Sequence, residues 1–168
     1  WDQAKATYRM SAQVEDPHGN HSVTSIAFVP SGGDREVSSS NGEGEKCISY
    51  FASGADDGSV KIWKVVNTYD SNNSNNSQIA WTCAFSFRHK DSRVGSLTFS
   101  LDGSLLALAQ GNVVSLWDPM SVAFKRSLTI PASSSRDITF VQFVEPRFSV
   151  GSGRAYLIVG TSTSESLF

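Results

Sequence analysis

Residues 89–118 read HKDSRVGSLTFSLDGSLLALAQGNVVSLWD. A histidine and a short gap lead into an alternating apolar run that ends on Phe99. Then come the Asp102-Gly103 turn, a second apolar run, a Gly111-Asn112 turn and a last run closed by Trp117. Alternation with period two between turn residues is the signature of β-strands joined by tight turns. Asp-Gly and Gly-Asn supply the positive φ that two-residue turns need. The same order occurs upstream, in HSVTSIAFVPSGG from His21 and, after an interruption, CISYFASGADDGSVKIWK from Cys47 to Lys64. Trp63 and Trp117 close the two copies 54 residues apart, and Trp1-Asp2 stands in the same register 62 residues before Trp63. At the other end, AYLIVGTSTSESLF from Ala155 repeats a second strand and the start of a third.

A unit of this kind cannot bury its apolar faces alone and must stack on copies of itself. The unit resembles the WD40 repeat, one four-stranded blade of a propeller. The expected fold is all-β: a WD40 β-propeller of about three blades, each of four antiparallel strands, forming part of a ring. Residues 1–168 would belong to one propeller, with periods near 1–62, 63–116 and 117–168. Innermost strands are expected at Val23–Phe28, Val94–Phe99 and Ile138–Phe143, and second strands at Ile48–Ser53, Leu105–Ala109 and Tyr156–Thr161. Third strands are expected at Val60–Lys64, Val113–Trp117 and Leu167–Phe168, and outer strands at Tyr8–Val14, Ile79–Phe87 and Ala123–Ile130. Almost no helix is expected. Residues 31–46 and 67–78 are polar and nearly free of apolar side chains, so they read as mobile insertions on the rim. Ser40 before Asn41, Gly42 and Glu43 suits an acidophilic kinase, although serine-rich acidic loops supply such matches by chance. Less than half a ring would leave apolar faces and strand edges open, so a 168-residue chain by itself is expected to associate.

Composition narrows the function classes. Of 168 residues, 39% are apolar, enough for a core. Fourteen basic residues against 16 acidic ones leave a net charge of −2, which argues against a chain devoted to neutralising a phosphate backbone. The absence of an 18-residue apolar run or a signal-peptide pattern reads as soluble and not secreted. Cys47 and Cys83 form no Cys-x-x-Cys spacing, so neither a zinc site nor a disulfide framework is indicated; both thiols are expected in buried strands in a reducing compartment. The sequons at Asn20, Asn72 and Asn75 then carry no meaning. Phe28, Phe99, Phe140 and Phe143 on inner strands, and Trp63, Trp81 and Trp117 further out, are expected to pack between blades.

The WD40 resemblance implies a hydrogen-bonded His-Ser-Asp-Trp tetrad that pins the turn between second and third strands. Trp63, Asp57 and Ser53 fit the first complete blade. His21 lies two residues before Val23 and His18 five before it; neither spacing is usual, and His21 is slightly preferred. In the second blade His89 and Trp117 are in place, but Gly111 and Ala107 replace Asp and Ser, so the tetrad cannot form in that way. His89 is then either a packed loop histidine or an exposed contact beside Arg88, Lys90 and Arg93. RHKDSR is the one notable basic concentration, and those four residues are the candidate partner contact, on the face bearing the loops that lead into each blade. Because one repeat supplies Ser53, His21 and Asp57, the set reads as a structural latch and not a catalytic triad. Gly42-Glu-Gly44 and Gly151-Ser-Gly153 lack what a phosphate loop needs. Asp56 and Asp57 diverge on a turn, which excludes an acid/base pair. No enzyme activity, cofactor, metal or small-molecule substrate is expected.

Residues 81–118, WTCAFSFRHKDSRVGSLTFSLDGSLLALAQGNVVSLWD, carry a narrower resemblance. The Trp-Thr-Cys-Ala-Phe outer strand, the Asp-Gly-Ser-Leu-Leu-Ala turn and the tryptophan closure are similar to the WD repeat-containing protein 75 or U3 snoRNA-associated protein 17 family, a UtpA (t-UTP) subunit of the small-subunit processome. That resemblance implies a non-enzymatic scaffold in the nucleus and nucleolus, acting in early ribosome biogenesis. Its partners would be other WD40 subunits of a large ribonucleoprotein assembly, near pre-rRNA and away from membranes. A generic WD40 adaptor, such as a ubiquitin-ligase receptor or signalling scaffold, is the alternative, because one fold hosts many functions.

Overall fold

A computed structural model describes residues 17–30, 46–68, 78–130, 137–144 and 156–162. These form strands and turns, with no helix among them. The chain runs β1 (Pro17–Asn20), β2 (Val23–Phe28), β3 (Lys46–Ala55), β4 (Ser59–Thr68), β5 (Gln78–Arg88), β6 (Val94–Phe99), β7 (Leu106–Gln110), β8 (Val113–Asp118), β9 (Ala123–Thr129), β10 (Ile138–Val144) and β11 (Tyr156–Thr161). Two four-stranded antiparallel sheets, β2-β3-β4-β5 and β6-β7-β8-β9, are followed by the pair β10-β11. Short turns set the antiparallel pairing of β3 with β4, β6 with β7 and β7 with β8, where Gly58, Gly103 and Gly111 adopt the positive φ that their positions require.

The sheets stack as blades of an open, partial propeller. Their pairing is irregular at matching places: Val23/Ser25, Val94/Ser96 and Ile138/Phe140 on the inner strands, and Ile62/Trp63 and Leu116/Trp117 on the third. These offsets align Val23 with Val94 and Ile138, and Trp63 with Trp117. β7, Leu106–Gln110, is buried throughout because sheets cover both of its faces. Leu106 and Leu108 join Ala52, Val60, Ile62, Val94, Leu97 and Phe99 between the first and second sheets. Ala107 and Ala109 face the other way, with Val114, Ile138 and Val141, toward the third. Alternation on one strand thus feeds two cores.

Polar stitches repeat beside the apolar ones. The Ser25 hydroxyl accepts from the Leu97 backbone N–H at 3.0 Å, and the equivalent Ser96 hydroxyl accepts from Val141 N–H at 3.1 Å. Thr24 Oγ1 donates to the Val94 carbonyl at 2.6 Å. Gly95 takes that place in the second sheet, where a Cβ would lie 2.6 Å from the Ile138 carbonyl oxygen.

Several expectations need correction. Lys46, Asn67, Thr68 and Gln78 lie in strands, because the β3–β4 and β4–β5 ladders continue beyond the apolar segments. Phe28 is 71% exposed and Phe140 48% exposed, so neither packs between sheets as expected of inner-strand aromatics. Phe140 occupies the site of Ser25 and Ser96, and with Tyr156 and Ile158 it gives β10–β11 an exposed apolar face. Cys83 is exposed on the edge strand β5, and Cys47 is half-buried. The strands expected at Tyr8–Val14 and Leu167–Phe168, the register of Trp1, the kinase match at Ser40 and most of both insertions lie outside the described residues.

Candidate functional site

β1 and the β3–β4 turn build the first constellation. Pro17 opens β1, Gly19 turns the chain at φ +67°, and His18 between them is carried inward to 6% exposure. The His18 ring bridges two hydroxyls, with Nε2 2.7 Å from Ser53 Oγ and Nδ1 2.7 Å from Ser59 Oγ. The Trp63 indole N–H donates to Ser53 Oγ at 2.8 Å, and Ser59 Oγ donates to Asp57 Oδ1 at 2.6 Å. The imidazole therefore reaches the carboxylate through Ser59, which the sequence reading left out.

The preferred histidine is corrected: His18, and not His21, meets Ser53. β1 inserts a turn of chain that brings the more distant histidine back. His21 lies half-exposed above the turn, its Nδ1 3.2 Å from Asp56 and its Nε2 4.0 Å from Asp57. Arg88 Nη2 pairs with Asp57 Oδ2 across from the end of β5. Burial pushes the Asp57 carboxyl upward, but the Ser59 hydroxyl and N–H, aided by Arg88, carry it down to about 2. Burial, with Lys61 nearby, lowers the His18 value below its ordinary 6.5. A buried neutral imidazole held between two hydroxyls has the chemistry of a latch. Among the described residues, His21, Asp56 and Asp57 are a group whose atoms approach closely enough for a cation. Arg88 already neutralises Asp57, and nothing further at that place points to a metal.

In the second sheet Leu106 pairs with Trp117 as Phe51 pairs with Trp63, so Leu108, and not Ala107 as spacing suggested, stands at the place of Ser53. Ala107 faces the third sheet, Gly111 lies in a shorter turn without a carboxylate, and two other residues take over. Ser115, buried two positions before Trp117, accepts its indole N–H at 3.0 Å. Gln110 Nε2 donates to the Lys90 and Ser92 carbonyls at 3.1 and 2.7 Å, pinning the loop that carries the basic cluster. Gly58 presses against the same carbonyls; a Cβ there would lie 2.1 Å from Lys90 O.

The four candidate contact residues do not act alike. His89 is half-buried, stacked on Phe124 at 5.5 Å between centroids and edge-on to Trp117 at 5.3 Å. Burial, then Lys90, lowers its pKa. Arg88 is engaged by Asp57 and, at 3.5 Å, by Asp91. Lys90 and Arg93 are exposed and make no ion pair among the described residues. Arg93 borders a cleft of about 270 Å³ between the second and third sheets, a feature that sequence spacing did not reveal.

Residues 1–162 match the family described as WD repeat-containing protein 75 second beta-propeller. WD repeat-containing protein 75 from Xenopus laevis is 24% identical over 146 residues, which are 87% of this chain and 16% of that protein. Its counterpart from Mus musculus is 27% identical over 154 residues, 90% of this chain and 16% of that protein. The chain thus spans a small part of these relatives. The crystal structure of Saccharomyces cerevisiae Sqt1 is similar in fold alone, with a TM-score of 0.52 at 17% identity, covering 83% of this chain and 28% of that one.

Proposed function

Because the chain belongs to the WD repeat-containing protein 75 second β-propeller family, we propose that it is part of a non-enzymatic scaffold subunit of the UtpA complex in the small-subunit processome. The observation that carries this reading is the match across residues 1–162. In this role the propeller works in the nucleolus, holding neighbouring WD40 subunits near nascent pre-rRNA during early ribosome assembly. Its hydrogen-bonded constellations hold loops in place, as expected of a docking platform. A net charge of −2 favours contacts with proteins over extensive RNA binding by this portion. Among the described residues no helix is long and apolar enough to cross a membrane.

Affinity purification of the tagged full-length protein tests the reading. Early pre-rRNA and other UtpA subunits are expected to co-purify. Recovery of a cullin or kinase complex without them would overturn it in favour of a generic adaptor.

A further inference from the structure

β5 and β9 are the outer edge strands of the two four-stranded sheets among the described residues. Each presents a row of backbone N–H and C=O groups that its own sheet does not use. The two edges are built differently. β9 carries Lys125 and Arg126 near its centre, and charge at such a place discourages a further strand from adding on. β5 runs eleven residues, QIAWTCAFSFR, with no proline, no glycine and no charge before Arg88. Its register on β4 slips between Ile62 and Trp63, which leaves Ala84 over and divides the strand. From the pair Thr68 and Gln78 to the pair Trp63 and Cys83 the ladder is regular. Residues 78–83 are therefore a regular, uncharged edge about 20 Å long at ~3.3 Å per residue.

The side chains along this edge suit a further strand. Ala80, Thr82 and Cys83 are exposed, and Ile79 is 36% exposed. Alternation puts Ile79 and Trp81 on one face of the strand and the small Ala80 and Thr82 on the other. Trp81 stands edge-on to Phe51, with ring centroids 6.5 Å apart, so the apolar side of the edge has a fixed shape. A row of backbone donors and acceptors at strand spacing is matched by an extended polypeptide.

We propose that residues 78–83 of β5 bind an extended segment of a partner protein, which adds a fifth strand to the first blade and lays apolar residues beside Ile79 and Trp81. The inference deepens the scaffold reading and rests on it. Area decides between such a segment and a second folded copy. Two folded bodies need about 800 Å² from each side for stable association, and a six-residue edge supplies a fraction of that. An extended segment takes its affinity from main-chain hydrogen bonds and from side-chain contacts on both faces of the strand.

Fluorescence anisotropy of the full-length protein with a labelled, end-capped Lys-Thr-Val-Thr-Val-Thr-Val-Lys peptide tests the proposal. Threonine and valine favour the extended form, and the terminal lysines discourage the peptide from pairing with itself. The same peptide N-methylated at its six central amides keeps the side chains and loses the backbone donors. It should bind about a hundredfold more weakly, three inter-strand hydrogen bonds at about fivefold each. Ala80→Lys with Thr82→Lys should weaken the unmethylated peptide about tenfold by placing like charge on the edge. An unchanged thermal midpoint would show that this variant folds. In the unsubstituted protein, hydrogen exchange should slow at residues 79–83 when the peptide is added.

Equal affinity for the two peptides, no binding of either, or protection only outside 79–83 would overturn the proposal. A dimer that the two lysines convert to a monomer would also overturn it, giving the edge to a second copy. With UtpA subunits still co-purifying, those failures belong to the edge alone. Their absence from the unsubstituted protein would instead overturn the reading beneath it.

Discussion

His18 Nε2 and Ser53 Oγ lie 2.7 Å apart, and that contact completes a five-residue hydrogen-bond chain. The Asp57 carboxylate can only accept, so Ser59 gives it its one proton and accepts from His18 Nδ1. The neutral imidazole then accepts at Nε2 from Ser53, whose oxygen also takes the Trp63 N–H. Every proton in the chain has one assignment.

Removing the Ser53 hydroxyl leaves both a buried indole N–H and an imidazole nitrogen without partners. Ser53→Ala is expected to cost about 3 kcal/mol, since each unsatisfied buried group costs about 1–3 kcal/mol. Ser115→Ala strands only the Trp117 N–H and should cost about half as much by the same reasoning. Chemical denaturation of the two variants checks the ratio; equal losses would refute the relay.

The same chain makes stability depend on pH near neutrality. Folding lowers the His18 pKa, chiefly by burial, so the unfolded chain takes up a proton at a pH where the folded one does not. His18 therefore contributes stability that is fully present above the unfolded value of 6.5. That contribution is lost as pH falls from there through the folded value. His89 acts in the same direction. The thermal midpoint should fall on acidification from pH about 7 to 5, and His18→Gln should flatten part of the slope.

Two turn glycines separate backbone strain from collision. Gly111 has positive φ and open surroundings, so Gly111→Ala should cost only the left-handed penalty of about 1–2 kcal/mol. Gly58 shares the positive φ, but a Cβ there would meet the Lys90 carbonyl at 2.1 Å and Ser92 O at 2.8 Å. Gly58→Ala should be far more damaging, because the loop carrying the basic cluster must move. Comparison of denaturation midpoints decides it; similar losses would mean that the loop yields easily.

The strand order and the tryptophan closures were legible because alternation and Asp-Gly turns are local signals. What the sequence hid depends on which surface lies opposite. Phe28 and Phe140 alternate as core residues do, yet they lie on the outer faces of the first and third sheets, which have no cover among the described residues. The right histidine escaped because its distance to Ser53 is set by Gly19 and β1, not by counting back from Val23. Ser59 had a signal: Asp102-Gly103-Ser104 repeats the Asp57-Gly58-Ser59 motif, and there too the serine hydroxyl meets its aspartate, at 2.9 Å. Ser115 shares a strand face with Trp117 two residues on, so alternation could have found it. The cleft beside Arg93 had no such signal, because segments distant in sequence, at Gly95, Gly111, Asp137 and Ser162, border it.

RHKDSR is one basic run in sequence and two kinds of residue in the fold, which predicts separable phenotypes. Arg88 helps hold Asp57 at about 2, so Asp57 stabilises the fold above its ordinary 3.8 and loses that effect as pH falls through the folded value. Without Arg88 the folded value rises toward the ordinary one and the stabilisation shrinks. Arg88→Gln is therefore expected to shift acid unfolding to higher pH. Lys90→Glu with Arg93→Glu changes two exposed charges that hold nothing among the described residues, and should leave denaturation within about 0.5 kcal/mol of the parent. Acid titration followed by circular dichroism, run beside affinity purification, distinguishes them. Arg88→Gln should lose stability and keep its partners; the double variant should keep stability and lose them. The opposite pattern would place the docking contact on Arg88 and remove the basis for assigning it to Lys90 and Arg93.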